Sequence, residues 1–166
     1  MKKTLVLGLG NILLSDEGVG VRVVERLQAR YVFPANVQVL DGGTLGLDLL
    51  PYVEKADRLL VVDAVEIGAE PGTLIRLEGE GIPSVFGPKL SPHQVGFADL
   101  LDAARLTDCL PEERVLWGLQ PRSLQVGLDL SPAVDAQVEL LVENVLTELC
   151  RWGAVPTMRA KQEEST

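Results

Sequence analysis

The sequence predicts an α/β protein whose sheet is mostly parallel and carries helices on both faces. Three short apolar runs rich in Val or Leu, each stopping at Gly or Asp, have the composition of strands buried on both faces: Thr4–Leu9, Val37–Asp41 and Arg58–Asp63. Segments with helical spacing of apolar residues separate these runs, so strands and helices alternate along the chain. This alternation is typical of parallel strands joined by helical crossovers.

The helices that connect these strands are predicted from the spacing of their apolar residues. Gly18–Tyr31 places Val19, Val23 and Leu27 on one face with charged residues opposite, which is the pattern of an amphipathic helix. Thr44–Glu54 predicts a shorter helix between the second and third strands. The first half of the chain therefore reads as strand, helix, strand, helix, strand.

The second half of the chain predicts two more strands and two more helices. An irregular Gly/Pro-rich stretch covers 79–92. A Ser-Pro pair begins each of the two helices, and Ser91 is the predicted N-cap of the first. The four elements are the strands Thr73–Leu77 and Arg114–Leu119 and the helices Pro92–Arg105 and Ser131–Trp152. Because no repeat or linker interrupts them, we expect one domain over residues 1–153 and a polar, disordered tail over 154–166.

Length and composition exclude several classes of protein. The 166 residues suit one domain, and the net charge of −9, with no Lys/Arg cluster, disfavours nucleic-acid binding. Cys109 and Cys150 lie far apart without C-x-x-C spacing, so neither a disulfide framework nor a zinc knuckle is predicted. No apolar run approaches the roughly 20 residues of a membrane span. We therefore expect a cytoplasmic protein that does not insert into membranes.

Four residues with reactive or metal-binding side chains lie at the predicted carboxyl ends of the strands. Ligands of open α/β sheets bind at this edge. Glu17 follows the first strand, Asp41 ends the second, Asp63 ends the third, and His93 lies at a helix start. A helix that follows a parallel strand begins at the same edge, so all four residues could face one crevice.

Each of these residues also has a purely structural explanation. An acidic residue in a first helical turn, such as Glu17, gains about 0.3–1 kcal/mol from the helix dipole. Asp63 could cap the turn after its strand, and Asp41 precedes two glycines, as in a tight turn. His93 is the chain's single histidine, and a lone histidine is more often structural than catalytic.

Two carboxylates and one imidazole at the same edge would nevertheless make three ligands for a divalent ion, with coordination positions left open. Mixed oxygen and nitrogen ligands without thiolates suit a weak site for a borderline first-row ion better than a structural zinc. The spacing alone does not distinguish such a site from separate structural roles, so both interpretations stay open.

Other kinds of active site fit the sequence less well. It contains neither a G-x-S-x-G elbow nor a G-x-x-x-x-G-K-[ST] phosphate loop. A dinucleotide-binding oxidoreductase is a weak alternative, because Gly8-x-Gly10 ends the first strand. Leu13, however, occupies the position of the third glycine in the G-x-G-x-x-G motif of such proteins, and the Asp16-Glu17 pair would repel a pyrophosphate.

The chain resembles the hydrogenase maturation endopeptidases in five blocks that follow that family's order. They are GLGNILLSDEGVG at 8–20, LDGGTLGLDLL at 40–50, LLVVDAV at 59–65, KLSPHQVGFADLL at 89–101 and GLQPRSLQ at 118–125. The resemblance covers nearly the whole chain. Because Glu follows Asp16, it is strongest to the branch that serves uptake hydrogenases.

The resemblance implies a fold, a set of site residues and a substrate. The fold would be a three-layer α/β/α sandwich with a five-stranded, mostly parallel sheet, and Glu17, Asp63 and His93 would contact a metal. The substrate and partner would be the nickel-loaded large-subunit precursor of a nickel–iron hydrogenase, cut after a basic residue to remove its C-terminal extension. The nickel would come from the precursor, with zinc or cadmium as surrogates, and the protease itself is expected to be a monomer.

Two routes to peptide-bond hydrolysis stay open under this resemblance. The shared ion could polarise the scissile carbonyl or lower the pKa of a bound water. Alternatively, the nickel only positions the peptide, and Asp41 or Asp16 acts as the base. A different class of function is a non-catalytic metallochaperone that checks nickel occupancy without cutting.

Overall fold

The computed structural model describes residues 1–82 and 92–160, except for the side chains of Pro92 and His93. The strands of its main sheet are β1 (Thr4–Leu9), β3 (Val37–Gly43), β4 (Arg58–Ala64), β5 (Leu74–Glu78) and β6 (Glu113–Leu119). They lie in the order β3-β1-β4-β6-β5, and within this sheet β5 alone runs antiparallel to its neighbour. The predicted five-stranded, mostly parallel sheet is confirmed.

Helices cover both faces of this sheet, as the alternation of strands and helices predicted. They are α1 (Val19–Arg30), α2 (Leu50–Glu54), α3 (Pro92–Leu106), α4 (Pro132–Asp135) and α5 (Val138–Arg151). Val6 and Val62 of the sheet share one buried cluster with α1 and α5, whereas Leu7 and Val61 share another with α2 and α3. Successive strand residues thus enter opposite cores, which explains the continuous apolar runs.

Two of the predicted helices are broken in the structure, and both predictions were wrong in that respect. The helix expected over Thr44–Glu54 is a 3₁₀ turn, Gly46–Leu49, followed by the short α2, which carries a proline in its first turn. Proline has no N–H for an intrahelical bond and restricts the residue before it, so a continuous helix is interrupted here.

The long helix expected over Ser131–Trp152 is divided into α4 and α5. At the break, the N–H of Gln137 donates to the carbonyl of Val134, a tighter bond than the α-helical pattern, and α5 starts anew with Leu141 N–H bonded to the Gln137 carbonyl. The helical spacing of apolar residues continues across the break, because Val134 and Val138 are both buried in one core cluster. Sequence periodicity therefore could not reveal it.

Residues 154–160, which were predicted to belong to a disordered tail, are ordered in the structure. Strand β7 (Thr157–Met158) pairs antiparallel with β2 (Tyr31–Val32), and Ala154 is buried. The backbone N–H of Arg159 also donates to a carbonyl of α1. Residues 161–166 lie outside the described residues, as do the predicted N-cap Ser91 and most of the irregular Gly/Pro-rich stretch.

None of the helices in the described part of the chain combines the length and apolarity that a bilayer span needs. The helices instead pack against the sheet, and this packing leaves the carboxyl ends of the parallel strands as the edge where loops converge.

Candidate functional site

The register of the sheet places Asp41 and Asp63 at the same level of its carboxyl edge. Gly8 of β1 pairs with Asp41 of β3 on one side and with Val62 of β4, the neighbour of Asp63, on the other. One strand lies between the two carboxylates, so their backbones are about 10 Å apart. Asp63 is fully buried, whereas Asp41 is exposed on the edge strand.

Glu17 reaches the same edge from the loop after β1. It lies in a 3₁₀ turn, Ser15–Gly18, that contacts β4, and it is only 4% exposed. This turn precedes α1, whose N-cap is Gly18 and whose first turn contains no acidic residue. Glu17 thus lies at the N-terminal end of α1, where its charge gains from the helix dipole, and its burial against β4 goes beyond what that role requires.

Two glycines of the first loop allow this close packing. Gly10 has a φ of +123°, and a Cβ at that position would lie 1.8 Å from the carbonyl oxygen of Glu17. A Cβ on Gly8 would lie 2.2 Å from the carbonyl oxygen of Gly20 in α1. These glycines let α1 and the Glu17 turn approach β1, a role that accounts for the Gly8-x-Gly10 pattern without any dinucleotide.

The start of α3 lies beside the end of β4. The side-chain amide of Gln94 donates to the carbonyl of Ala64 at 3.1 Å, which ties the residue after His93 to the residue after Asp63. The backbone of α3 also approaches the loop after β3 closely, since a Cβ on Gly46 would lie 3.1 Å from the Cα of Gly96. The backbone of His93 is therefore at the predicted edge, while its side chain lies outside the described residues.

The structure thus brings Glu17 and Asp63 to one edge as buried carboxylates and places the backbone of His93 next to them. Among the side chains that are described, no three histidine, cysteine or acidic groups form a metal cluster. The predicted trio includes His93, so its geometry is not tested and stays a prediction. Glu17 and Asp63 each have further interactions beyond those described above.

Asp16 has a different environment from its neighbour Glu17. Its fully buried carboxylate accepts hydrogen bonds from the backbone N–H groups of Arg122 (2.9 Å), Ser123 (3.0 Å) and Ser131 (2.7 Å), and from the Ser131 hydroxyl at 2.8 Å. Burial raises the pKa of Asp16, but these hydrogen bonds from Ser123, Ser131 and Arg122 outweigh it and hold the pKa below its ordinary value. The geometry therefore favours a structural role for Asp16 over that of a base.

Sequence reasoning did not identify the role of Gln120, a buried residue directly after β6. Its side-chain oxygen accepts hydrogen bonds from the N–H groups of Ile67 (2.8 Å) and Ala69 (3.3 Å), and its amide donates to Glu66 at 2.8 Å. Gln120 thereby fixes the loop after β4 against the loop after β6. The GLQPRSLQ block marks this segment, but composition alone assigns no contact to it.

Comparison with known proteins agrees with this architecture. The family model described as "Hydrogenase maturation protease" matches residues 21–148. The Hydrogenase 2 maturation protease of Escherichia coli is 45% identical over 157 residues, covering 93% of this chain and 96% of that protein. The hydrogenase expression/formation protein HupD of Rhodobacter capsulatus is 44% identical over 161 residues, 96% of this chain and 77% of that protein.

A solved structure gives the same result at the level of the fold. The hydrogenase maturating endopeptidase HybD from Escherichia coli superimposes with a TM-score of 0.90 and 44% sequence identity, covering 95% of this chain and 98% of that one. The matched family model spans most of the chain, and relatives above 40% identity align over nearly all of it. The chain therefore belongs to the hydrogenase maturation protease family.

Proposed function

We propose that this protease removes the C-terminal extension of the nickel-loaded large-subunit precursor of a nickel–iron hydrogenase, cutting after a basic residue. The observation that carries the proposal is the burial of Glu17 and Asp63 at one edge of the sheet, next to the start of α3, where His93 lies. The reaction takes place in the cytoplasm, on a folded precursor, and the protease acts as a monomer.

The chemistry of these residues supports recognition of a metal that the substrate carries. Glu17 and Asp63 offer carboxylate oxygens at one edge of the sheet. With His93 they form an oxygen and nitrogen ligand set that leaves coordination positions open, as a shared ion requires. The precursor's nickel would fill this role, and zinc or cadmium would substitute for it. Glu17, Asp63 and His93 would then make metal loading the signal for cleavage.

The contacts of the other acidic residues narrow the choice of general base. All of the hydrogen bonds described for Asp16 engage its carboxylate with the loop after β6, and its pKa is lowered, so it is poorly suited to accept a proton. Asp41 is exposed at the same edge and stays the better candidate if a side chain serves as base. The other route uses a water or carbonyl polarised by the substrate's own nickel.

The test is to incubate the protein with nickel-loaded and nickel-free precursor and to follow the intact mass of each over time. We expect one cut in the loaded precursor, loss of its C-terminal segment, and no cut in the nickel-free form. Glu17→Gln and His93→Ala should abolish trimming, whereas Glu112→Gln should not, because Glu112 is an exposed carboxylate before β6, at the opposite edge of the sheet. Binding of loaded precursor without any loss of mass would instead support the metallochaperone.

A further inference from the structure

An apolar surface lies beside the Glu17 turn, on the loop after β6. Leu124, Val126 and Leu128 alternate along this loop and are all exposed, Val126 to 89%, and Leu13 of the first loop is exposed beside them. We call these four residues the apolar lip. Contiguous exposed apolar side chains next to polar ones mark interaction sites in soluble proteins.

The backbone beneath the apolar lip is held in place by hydrogen bonds between the two loops. Gly127 N–H donates to the carbonyl of Leu13, and Ser15 N–H donates to the carbonyl of Gly127, both at 2.9 Å. The Ser15 hydroxyl donates to the carbonyl of Gln125 at 2.7 Å. These bonds direct the polar backbone groups inward, while the apolar side chains are left in solvent.

The buried Asp16 carboxylate holds both ends of the same loop. It accepts hydrogen bonds from Arg122 and Ser123 before the lip and from Ser131 after it. The loop is therefore fixed at its ends and its middle to residues immediately before Glu17. A binding loop on a rigid support is what a recognition surface needs, because little conformational freedom is lost when a partner docks.

Charge decides which partner this surface fits. The lip is next to an acidic edge, where the carboxylates of Glu17 and Asp63 are buried. Two exposed side chains of opposite charge flank the loop itself, Arg122 before Leu124 and Asp129 after Leu128. A two-fold contact between two copies would bring this acidic edge against itself in a chain of net charge −9, which is unfavourable. A fitting partner has apolar side chains close to a positive centre.

We propose that the apolar lip docks aliphatic side chains of the precursor segment next to the cleavage site, while the acidic edge receives the positive charge of its basic residue and nickel. This assignment rests on the proposed function, since it names the surface on which the same substrate binds. The lip contributes affinity and places the segment, and the bond is cut at the neighbouring edge.

The test compares initial rates of trimming over a range of nickel-loaded precursor concentrations. The double variant Leu124→Ser/Val126→Ser should raise KM by at least about tenfold, because apolar surface is lost from the contact, and should change kcat less than about twofold. Leu106→Ser is the matched control, since Leu106 is 88% exposed at the far end of α3, which starts at the site. It should leave both constants unchanged.

Each outcome decides the proposal. Wild-type trimming with an unchanged KM in the double variant would overturn the lip and leave the proposed function standing. A wild-type protein that neither binds nor trims loaded precursor would overturn both. Sedimentation that shows a wild-type dimer, dissolved by the double variant, would assign the lip to a second copy and overturn the proposal. If the double variant fails to fold, as judged by circular dichroism, Val126→Ser carries the same test.

Discussion

Replacing Asp16 by Asn should destabilise the loop after β6 far more than the loss of one exposed charge would. The carboxylate accepts four hydrogen bonds, three from Arg122, Ser123 and the Ser131 hydroxyl at Oδ2 and one from Ser131 N–H at Oδ1. An amide has one oxygen, so its NH₂ group must face at least one of these backbone donors. The variant therefore leaves a buried N–H without an acceptor and opposes it with another donor.

The magnitude follows from the number of bonds that change. One orphaned buried donor costs about 1–3 kcal/mol, and each of the three remaining bonds loses its charge assistance, on the order of 0.5–1 kcal/mol. The loss of the buried charge offsets part of this destabilisation, because an amide is less costly to desolvate than a carboxylate. We expect a net loss of about 2–4 kcal/mol in the free energy of unfolding.

Urea denaturation followed by circular dichroism measures this loss, and amide hydrogen exchange locates it. The amides of Arg122, Ser123 and Ser131 should exchange slowly in the wild-type protein and faster in Asp16→Asn, because they lose their acceptor or its charge. Asp129→Asn is the control, since Asp129 is an exposed carboxylate in the same loop. A loss below about 0.5 kcal/mol, or unchanged protection of these amides, would refute this role of the Asp16 carboxylate.

Two further expectations concern stability. Thr4→Val should raise the free energy of unfolding by about 1 kcal/mol, because the buried Thr4 hydroxyl has no hydrogen-bond partner and valine has the same shape; a lower stability by urea denaturation would contradict this. Burial raises the pKa of the Glu148 carboxyl. The hydrogen bond and charge of Arg76, the hydrogen bond of Trp117 and the charge of Arg151 outweigh this effect, so the pKa lies below its ordinary value. Its contribution to stability is therefore present above the unfolded-state pKa of about 4.3 and is lost as pH falls through the folded-state pKa. Unfolding curves at a series of pH values should show a weaker acid dependence in Glu148→Gln, and an unchanged one would contradict the assignment.

Local patterns in the sequence were sufficient for most of the architecture. Apolar runs located β1, β3, β4 and β6 to within two residues, and the signal was clearest for β1 and β4, because parallel strands buried on both faces are almost continuously apolar. The alternation with helices then implied a parallel sheet and one ligand-binding edge. Glu17 and Asp63 lie at this edge for the same reason. The backbone of His93 lies there for a different one: β5, the strand before α3, is antiparallel, and α3 starts at the carboxyl edge because it leads back to the amino end of the parallel strand β6.

Several features depended on contacts that no local pattern contains. The acceptor role of Asp16 requires Ser131, which is 115 residues away in sequence, so the sequence could not show that this candidate base is held by hydrogen bonds to a distant loop. The order around residues 154–160 depends on pairing of β7 with β2, although the tail is polar.

The division between what the sequence and the fold decide has one physical cause. Hydrophobic periodicity is a property of neighbouring residues and survives in isolation, so strands, helices and their shared edge follow from it. Whether a buried carboxylate is reactive or structural depends on how many donors the fold brings to it, and only the tertiary structure sets that number. Asp16 and Glu17 are adjacent in the chain, yet the fold directs Asp16 into a loop contact and brings Glu17 to the edge that Asp63 shares.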